Sequence, residues 1–395
     1  MNRKNIVLVT ALLGLVGCGS SSEPSQQSDI CSDLTTGGFS CDAMLDELVT
    51  VGVQPVVQSL ETRLVALDAA MTTYCSDVNV EASLIVAQEA WTSAMAPMQQ
   101  LHVMNFGPNS NRNEGLAAFY NTSASPLNID IAIAKSATID GVGLSQSANE
   151  KDLIALEYIL FAPGDVRHTS DDTVNNWSNG KTSTEIQIDR CAYGKLVSAD
   201  LVTRAGTLKT AWSTYSLTDS FSSGQIAANI VSNALYDVDL VTKERVKAPL
   251  FNTGEDDVDF NVDELESKIA YKSKEHIENN IIGAKTLLQA GFDDYLTALE
   301  QEEIATNMDN ALQEVLDNIA EIDGTLKAAL ESASITTSAC DTLRTTSGLY
   351  DDTSSDLAVY CALEYNLGSF TSLLKNDFIM ALSFSAPSGA EGEND

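Results

Sequence analysis

"MLDELVTVGVQPVVQSLETRLVALDAAMTTYC", residues 44–75, decides the fold class. Val57, Leu60, Leu64, Leu67 and Met71 recur at steps of three and four, which puts them on one face of an α-helix. A strand would need alternation at every second residue. The stretch predicts a long amphipathic helix, and the same reading extends outward in both directions.

"VEASLIVAQEAWTSAMAPMQQLHVM" follows at 80–104, with Leu84, Ala87, Trp91 and Met95 on one face and Pro97 expected to kink or end its first part. "NFGPNSNRNEG" at 105–115 breaks the pattern. Helical spacing returns in 193–215, 225–246, 262–291, 294–333 and 357–382, with Pro249, Gly254 and Gly291 as punctuation. Residues 162–185 are polar, lack a hydrophobic period and read as a surface loop or insertion. With only 8 prolines and a hydrophobic fraction of 44%, the composition suits packed helices better than a turn-rich sandwich.

A chain of 395 residues is long for one core, so two domains are expected. The fold class expected is all-α, with two four-helix-bundle-like domains. Their bounds are 31–222 and 223–395, divided at "TDSFSSGQ" (218–225), with an acidic tail from 385. Ala155-Leu156-Glu157-Tyr158 recurs as Ala362-Leu363-Glu364-Tyr365. A duplication explains this echo, and so does chance among common helical residues.

The first residues carry a different kind of signal. Arg3 and Lys4 precede a short apolar run, Ile6 to Val16, and Leu15-Val16-Gly17-Cys18 resembles a bacterial lipobox. Residues 1–17 are read as a lipoprotein signal peptide, Cys18 as the lipidated residue that holds the chain to a membrane, and 18–30 as a flexible tether. Gly19, rather than Asp, after the cysteine points to the outer membrane.

Export places Cys31, Cys41, Cys75, Cys191, Cys340 and Cys361 in an oxidising compartment. Among the fifteen pairings that six thiols allow, local closure favours Cys31 with Cys41 and Cys340 with Cys361, leaving Cys75 with Cys191. Free buried cysteines are the alternative. No CxxC pair is present for a thiolate zinc cluster. A formal net charge of -34 excludes a nucleic-acid partner, which requires clustered Lys and Arg, and favours cations. Plain solubility, or adaptation to salty surroundings, accounts for the acidity better than a specific cation-collecting role does.

"KDLIALEYILFAPG" at 151–164 holds the residue of most chemical interest. Glu157 stands among Leu153, Ile154, Leu160 and Phe161, so a helix buries its carboxylate with apolar neighbours. Such a group carries a raised pKa, pairs with a cation or binds a metal. The alternative is a glutamate satisfied by Arg, Tyr or backbone within a bundle core.

Three stretches together resemble the imelysin family of bacterial cell-envelope proteins: "AWTSAMAPMQQLHVMNFGP" (90–108), "DLIALEYILF" (152–161) and "ELESKIAYKSKEHIENNIIG" (264–283). The closing "LSFSAPSGAEGEND" (382–395) is also similar. The resemblance implies two four-helix-bundle-like domains, export, frequent lipid anchoring, a link to iron uptake or regulation and, for some members, metallopeptidase activity. It also implies a GxHxxE metal motif. Here the Gly position is Asp152, the His position is Ile154, and only Glu157 remains. Ile154 cannot ligate a metal, and Asp152 and Glu157 point about 140° apart around a helix.

Other chemistries find little support. His102, His168 and His276 stand apart, and there is no HExxH for a zincin and no GxSxG elbow for a serine hydrolase. "GEDDVDFNVDELES" (254–267) offers Asp257, Asp259, Asn261 and Asp263 in alternation, but Val262 and Lys268 stand where an EF-hand needs Gly and Glu.

The leading expectation is a lipid-anchored protein binding a ligand or metal, with iron or another divalent ion as the candidate cofactor, between two bundles. Glu157 lines the cleft as ligand or metal-binding residue, and Trp91, Phe106, Gly107, Pro108, Tyr158 and His276 shape it. An outer-membrane uptake receptor is the candidate partner. The alternatives are an imelysin-type metallopeptidase using Glu157, and a non-catalytic partner-docking lipoprotein.

Overall fold

The structure is a computed structural model that describes residues 31, 38–110, 125–139, 142–162, 170–241, 245, 246, 249, 264–333, 340 and 356–384. Among them every regular element is helical. The signal peptide, Cys18 with its tether, His168, the acidic run 254–263 and the tail from 385 lie outside the described residues.

The first half is built from α1 (Cys41–Glu47), α2 (Gln54–Tyr74), α3 (Glu81–His102), α4 (Pro126–Thr138), α5 (Leu153–Phe161), α6 (Asp172–Ser178) and α7 (Ser183–Ser213). A π-helical turn, Leu48–Val53, joins α1 to α2. The five residues that predicted α2 are all but fully buried, none more than 1% exposed. They face α3 and α7, against which α2 packs.

Pro97 lies inside α3 without ending it. A proline there cannot donate to the carbonyl four residues back. That carbonyl, Ser93 O, accepts instead from Arg63 Nη1 of α2 at 2.9 Å. The helix continues because a neighbouring helix supplies the missing donor.

The stretch read as a polar loop contains α6, whose Val174 and Trp177 are buried. Asp171 caps it by accepting from Thr173 N and Val174 N. Two apolar residues in seven are too few to show a period, but they suffice to dock one short turn. α7 starts in a capping box, with Thr182 and Glu185 satisfying each other's backbone.

The second half comprises α8 (Gly224–Ala234), α9 (Ser273–Leu287), α10 (Asp293–Ala298), α11 (Glu302–Glu321), α12 (Leu326–Ala333) and α13 (Asp356–Leu373). α9 packs on α3, joining the halves, and also on α11, which packs on α13. The approach of α9 to α3 depends on Gly283, where a Cβ would come within 2.6 Å of Gln100 O. One continuous apolar core draws on both halves.

Three expected helices are shorter than their patterns. The 225–246 segment breaks after Ala234, and 294–333 divides into α10, α11 and α12, the first break falling where Glu300 takes a left-handed φ of 61°. Among the described residues of the 262–291 segment, the α-helix begins at Ser273. Before it, Ser267 and Ala270 give hydrogen bonds to Glu157, and Tyr271 adopts φ 58°. A distant carboxylate has claimed the Ala270 N–H, a donor that a helix would have used.

All three expected disulfides form, Cys31–Cys41, Cys75–Cys191 and Cys340–Cys361, with Cα separations of 5.5, 5.3 and 5.3 Å. The echoed tetrapeptides occupy different environments. Glu157 and Tyr158 are each 1% exposed, whereas Tyr365 is 44% exposed. No described helix is long and apolar enough to cross a membrane.

Candidate functional site

α5 is the innermost short helix, wedged between α3 and α7. Its apolar residues explain why it is buried, and Asp152 explains where it starts. That carboxylate accepts from Ile154 N at 3.0 Å and Ala155 N at 3.2 Å as the helix N-cap. Asp152, at the motif's glycine position, is therefore a capping residue.

Glu157 points toward the turn that precedes α9. Its Oε1 accepts from the Ser267 hydroxyl at 2.8 Å and from Ala270 N at 2.9 Å. Burial pushes its carboxyl above the ordinary glutamate value and outweighs those bonds and the attraction of His276, with Glu266 adding to the rise.

Beside it lies a second buried carboxylate that the sequence reading did not single out. Glu266 meets Arg245 Nη2 at 2.9 Å, accepts from Gln99 Nε2 at 3.1 Å and lies 3.4 Å from His276 Nδ1. Burial acts to raise this group, yet Arg245 and His276 prevail and hold its carboxyl below the ordinary value. Arg245 also donates to Gln99 Oε1 at 2.7 Å and to Asn280 Oδ1, and lies 3.4 Å from His102 Nε2. Asn280 in turn donates to Gln99 O at 2.7 Å.

This cluster joins all three stretches that carried the family resemblance. Gln99 and His102 come from α3, Glu157 from α5, and Glu266, His276 and Asn280 from the α9 region. Trp91 is fully buried beside it, its Nε1 donating to Leu153 O at 2.7 Å and its ring 6.1 Å from that of His276. Arg245 was hidden in "VTKERV" (241–246), which reads only as a helix end.

The other named residues fall elsewhere. Tyr158 turns to the opposite side of α5, where its hydroxyl donates to Asp130 at 2.8 Å and accepts from Arg190 at 2.9 Å. Arg190 and Asp130 form a pair with no exposure at all. Phe106 packs edge-on against Trp212, and Gly107, at φ 53°, sits so close to Tyr215 that a Cβ would meet it at 2.9 Å. Pro108 opens the short 3-10 turn Gly107–Asn109 in that same corner.

The cluster does not suit a metal ion. A guanidinium already holds the cation position between Glu266 and the polar groups of α3 and α9, and Ile154 supplies no donor where the motif expects histidine. Among the described residues no group of three or more His, Cys, Asp or Glu is arranged to hold a metal. The arrangement fastens the turn before α9 to α5.

Comparison with known proteins agrees with this architecture. No curated protein matches the sequence. The chain is similar in fold to an imelysin-like protein from Psychrobacter arcticum 273-4, with TM-score 0.63 and 16% identity over 88% of this chain and 97% of that one. It is also similar to a protein assigned as an iron-regulated protein A precursor from Parabacteroides distasonis ATCC 8503, with TM-score 0.55 and 16% identity over 85% and 95%. The family model described as Imelysin matches residues 53–349, which include every member of the buried cluster. The chain belongs to the imelysin family.

Proposed function

We propose that this imelysin-family chain is an exported lipoprotein, anchored through Cys18, that serves iron acquisition at the cell envelope as a binding protein and not as a peptidase. The observation carrying the non-enzymatic part is the motif itself, where Ile154 offers no ligand and Glu157 Oε1 already accepts from Ser267 and Ala270 N. A fully buried Glu157 that is already hydrogen-bonded is also a poor general base for a peptide. The iron link rests on the family and on the name of the Parabacteroides relative. The two-bundle division at residues 222 and 223 belongs to the same reading, with the Glu157 cluster as the fastening between halves.

The test is genetic and chemical together. A deletion strain of the parent bacterium is grown under chelator-imposed iron limitation and complemented with the wild-type chain, Cys18→Ala or Glu157→Gln. The reading expects rescue by wild type and by Glu157→Gln, and loss of both rescue and membrane retention with Cys18→Ala. Normal growth of the deletion strain, or peptide cleavage by the wild-type chain that Glu157→Gln abolishes, overturns it.

A further inference from the structure

A cavity of about 580 Å³ between α1 and the end of α10 shares no lining residue with the Glu157 cluster. Its size falls within the range of about 300–1,000 Å³ typical of small-molecule sites. Its lining combines apolar groups (Phe39, Met44 and two alanines) with the carboxylates of Glu47, Asp294 and Glu300, and contains no lysine, arginine or histidine.

The aromatic wall is held firmly. Phe39 stacks on Tyr295 with centroids 5.4 Å apart and planes 7° from parallel. Tyr295 is itself fully buried, and its hydroxyl donates to Gln225 Oε1 at 2.9 Å. The three carboxylates are exposed and open to an arriving cation.

A neighbouring cavity is also acidic, lined by Asp293, Glu302 and Asp309. It measures about 300 Å³ and shares Thr297 with the first. Its Asp309 already receives Lys285 at 3.2 Å and Gln289 at 2.7 Å. In the larger cavity no ion pair is formed by Glu47, Asp294 or Glu300 among the described residues, and all three carboxylates are exposed.

We propose that the larger cavity binds a small linear aliphatic amine carrying two or more ammonium groups. The carboxylates pair with the ammonium groups, and Phe39 and Met44 cover the methylene chain between them. A bare metal ion is a poorer occupant, because the described acidic groups do not converge as metal ligands. The site is independent of the iron-linked reading above.

The test is calorimetric titration of spermidine into the purified chain at about 0.15 M salt, where long-range attraction to the acidic surface is screened. The expected result is one saturable equivalent per chain. Glu47→Gln with Glu300→Gln weakens it about tenfold or more, since both removed charges contact the ligand. Glu314→Gln with Glu321→Gln, the same charge change on exposed positions of α11, leaves it unaltered. Phe39→Leu keeps the apolar volume but removes the aromatic face, and weakens binding about threefold. Absence of a saturable heat, or equal losses in the two double variants, overturns the proposal, the latter because it reduces the effect to general charge attraction.

Discussion

Glu157 and Ser267, separated by 110 positions in sequence, meet at 2.8 Å through the buried carboxylate and the serine hydroxyl. This contact, with the one from Ala270 N, ties the turn before α9 to α5. Glu157→Ala leaves two donors without their acceptor and is expected to lose about 2–3 kcal/mol of stability. Glu157→Gln keeps an acceptor oxygen and should retain most of it. Urea unfolding of the three proteins checks the order.

The two buried carboxylates respond to pH in opposite senses. Glu157 has a raised pKa, so its stabilising contribution is present below the ordinary 4.5 and lost as pH rises through its folded value. Glu266 has a lowered one, so its contribution is present above 4.5 and lost as pH falls through its folded value. Glu157→Gln should therefore gain stability relative to wild type as pH rises from about 4.5 to about 8. Glu266→Gln should fall behind as pH rises toward about 4.5 from below and stay behind above it, by about 3–5 kcal/mol at neutral pH because Arg245 is left buried without its partner. Denaturation on both sides of about pH 4.5 measures both slopes.

Cys75 and Cys191 close a span of 116 residues and fasten the end of α2 to α7. Replacing both by alanine removes a constraint worth about 5 kcal/mol in the chain-entropy description. The loss should exceed that for Cys340 and Cys361, whose separation is 21. Thermal unfolding of the two double variants, with the other disulfides intact, distinguishes them.

Arg63 and Pro97 are linked through the Ser93 carbonyl. Arg63→Ala strands the Ser93 carbonyl that Pro97 leaves without a helix donor, at a cost of about 1–3 kcal/mol. In a Pro97→Ala background the helix supplies its own N–H, and the cost of Arg63→Ala should shrink by about 0.5–1 kcal/mol. A double-mutant cycle in urea reads this coupling.

The helices were legible where one apolar face repeats, as in α2, because that signal is local. The turn over 265–272 was not, since "ELESKIAYKSK" has helix-forming residues and only the distant Glu157 makes it a turn. Glu157 was legible as a charge in an apolar run. Its partners were not: Ser267 and Glu266 look like ordinary surface residues of an acidic segment, and Arg245 gives no periodic signal. Asp152 stood out only as a departure from the family motif, and its capping role needed the backbone of α5.

The most direct measurement is metal analysis of the purified chain together with iron calorimetry, for wild type and for Glu157→Ala. With Arg245 seated between Glu266 and Gln99, the wild-type chain should hold no stoichiometric metal at the cluster, and the two proteins should give the same iron response. One metal per chain in the wild type, lost in Glu157→Ala, would contradict the account and make Glu157 a ligand despite Ile154.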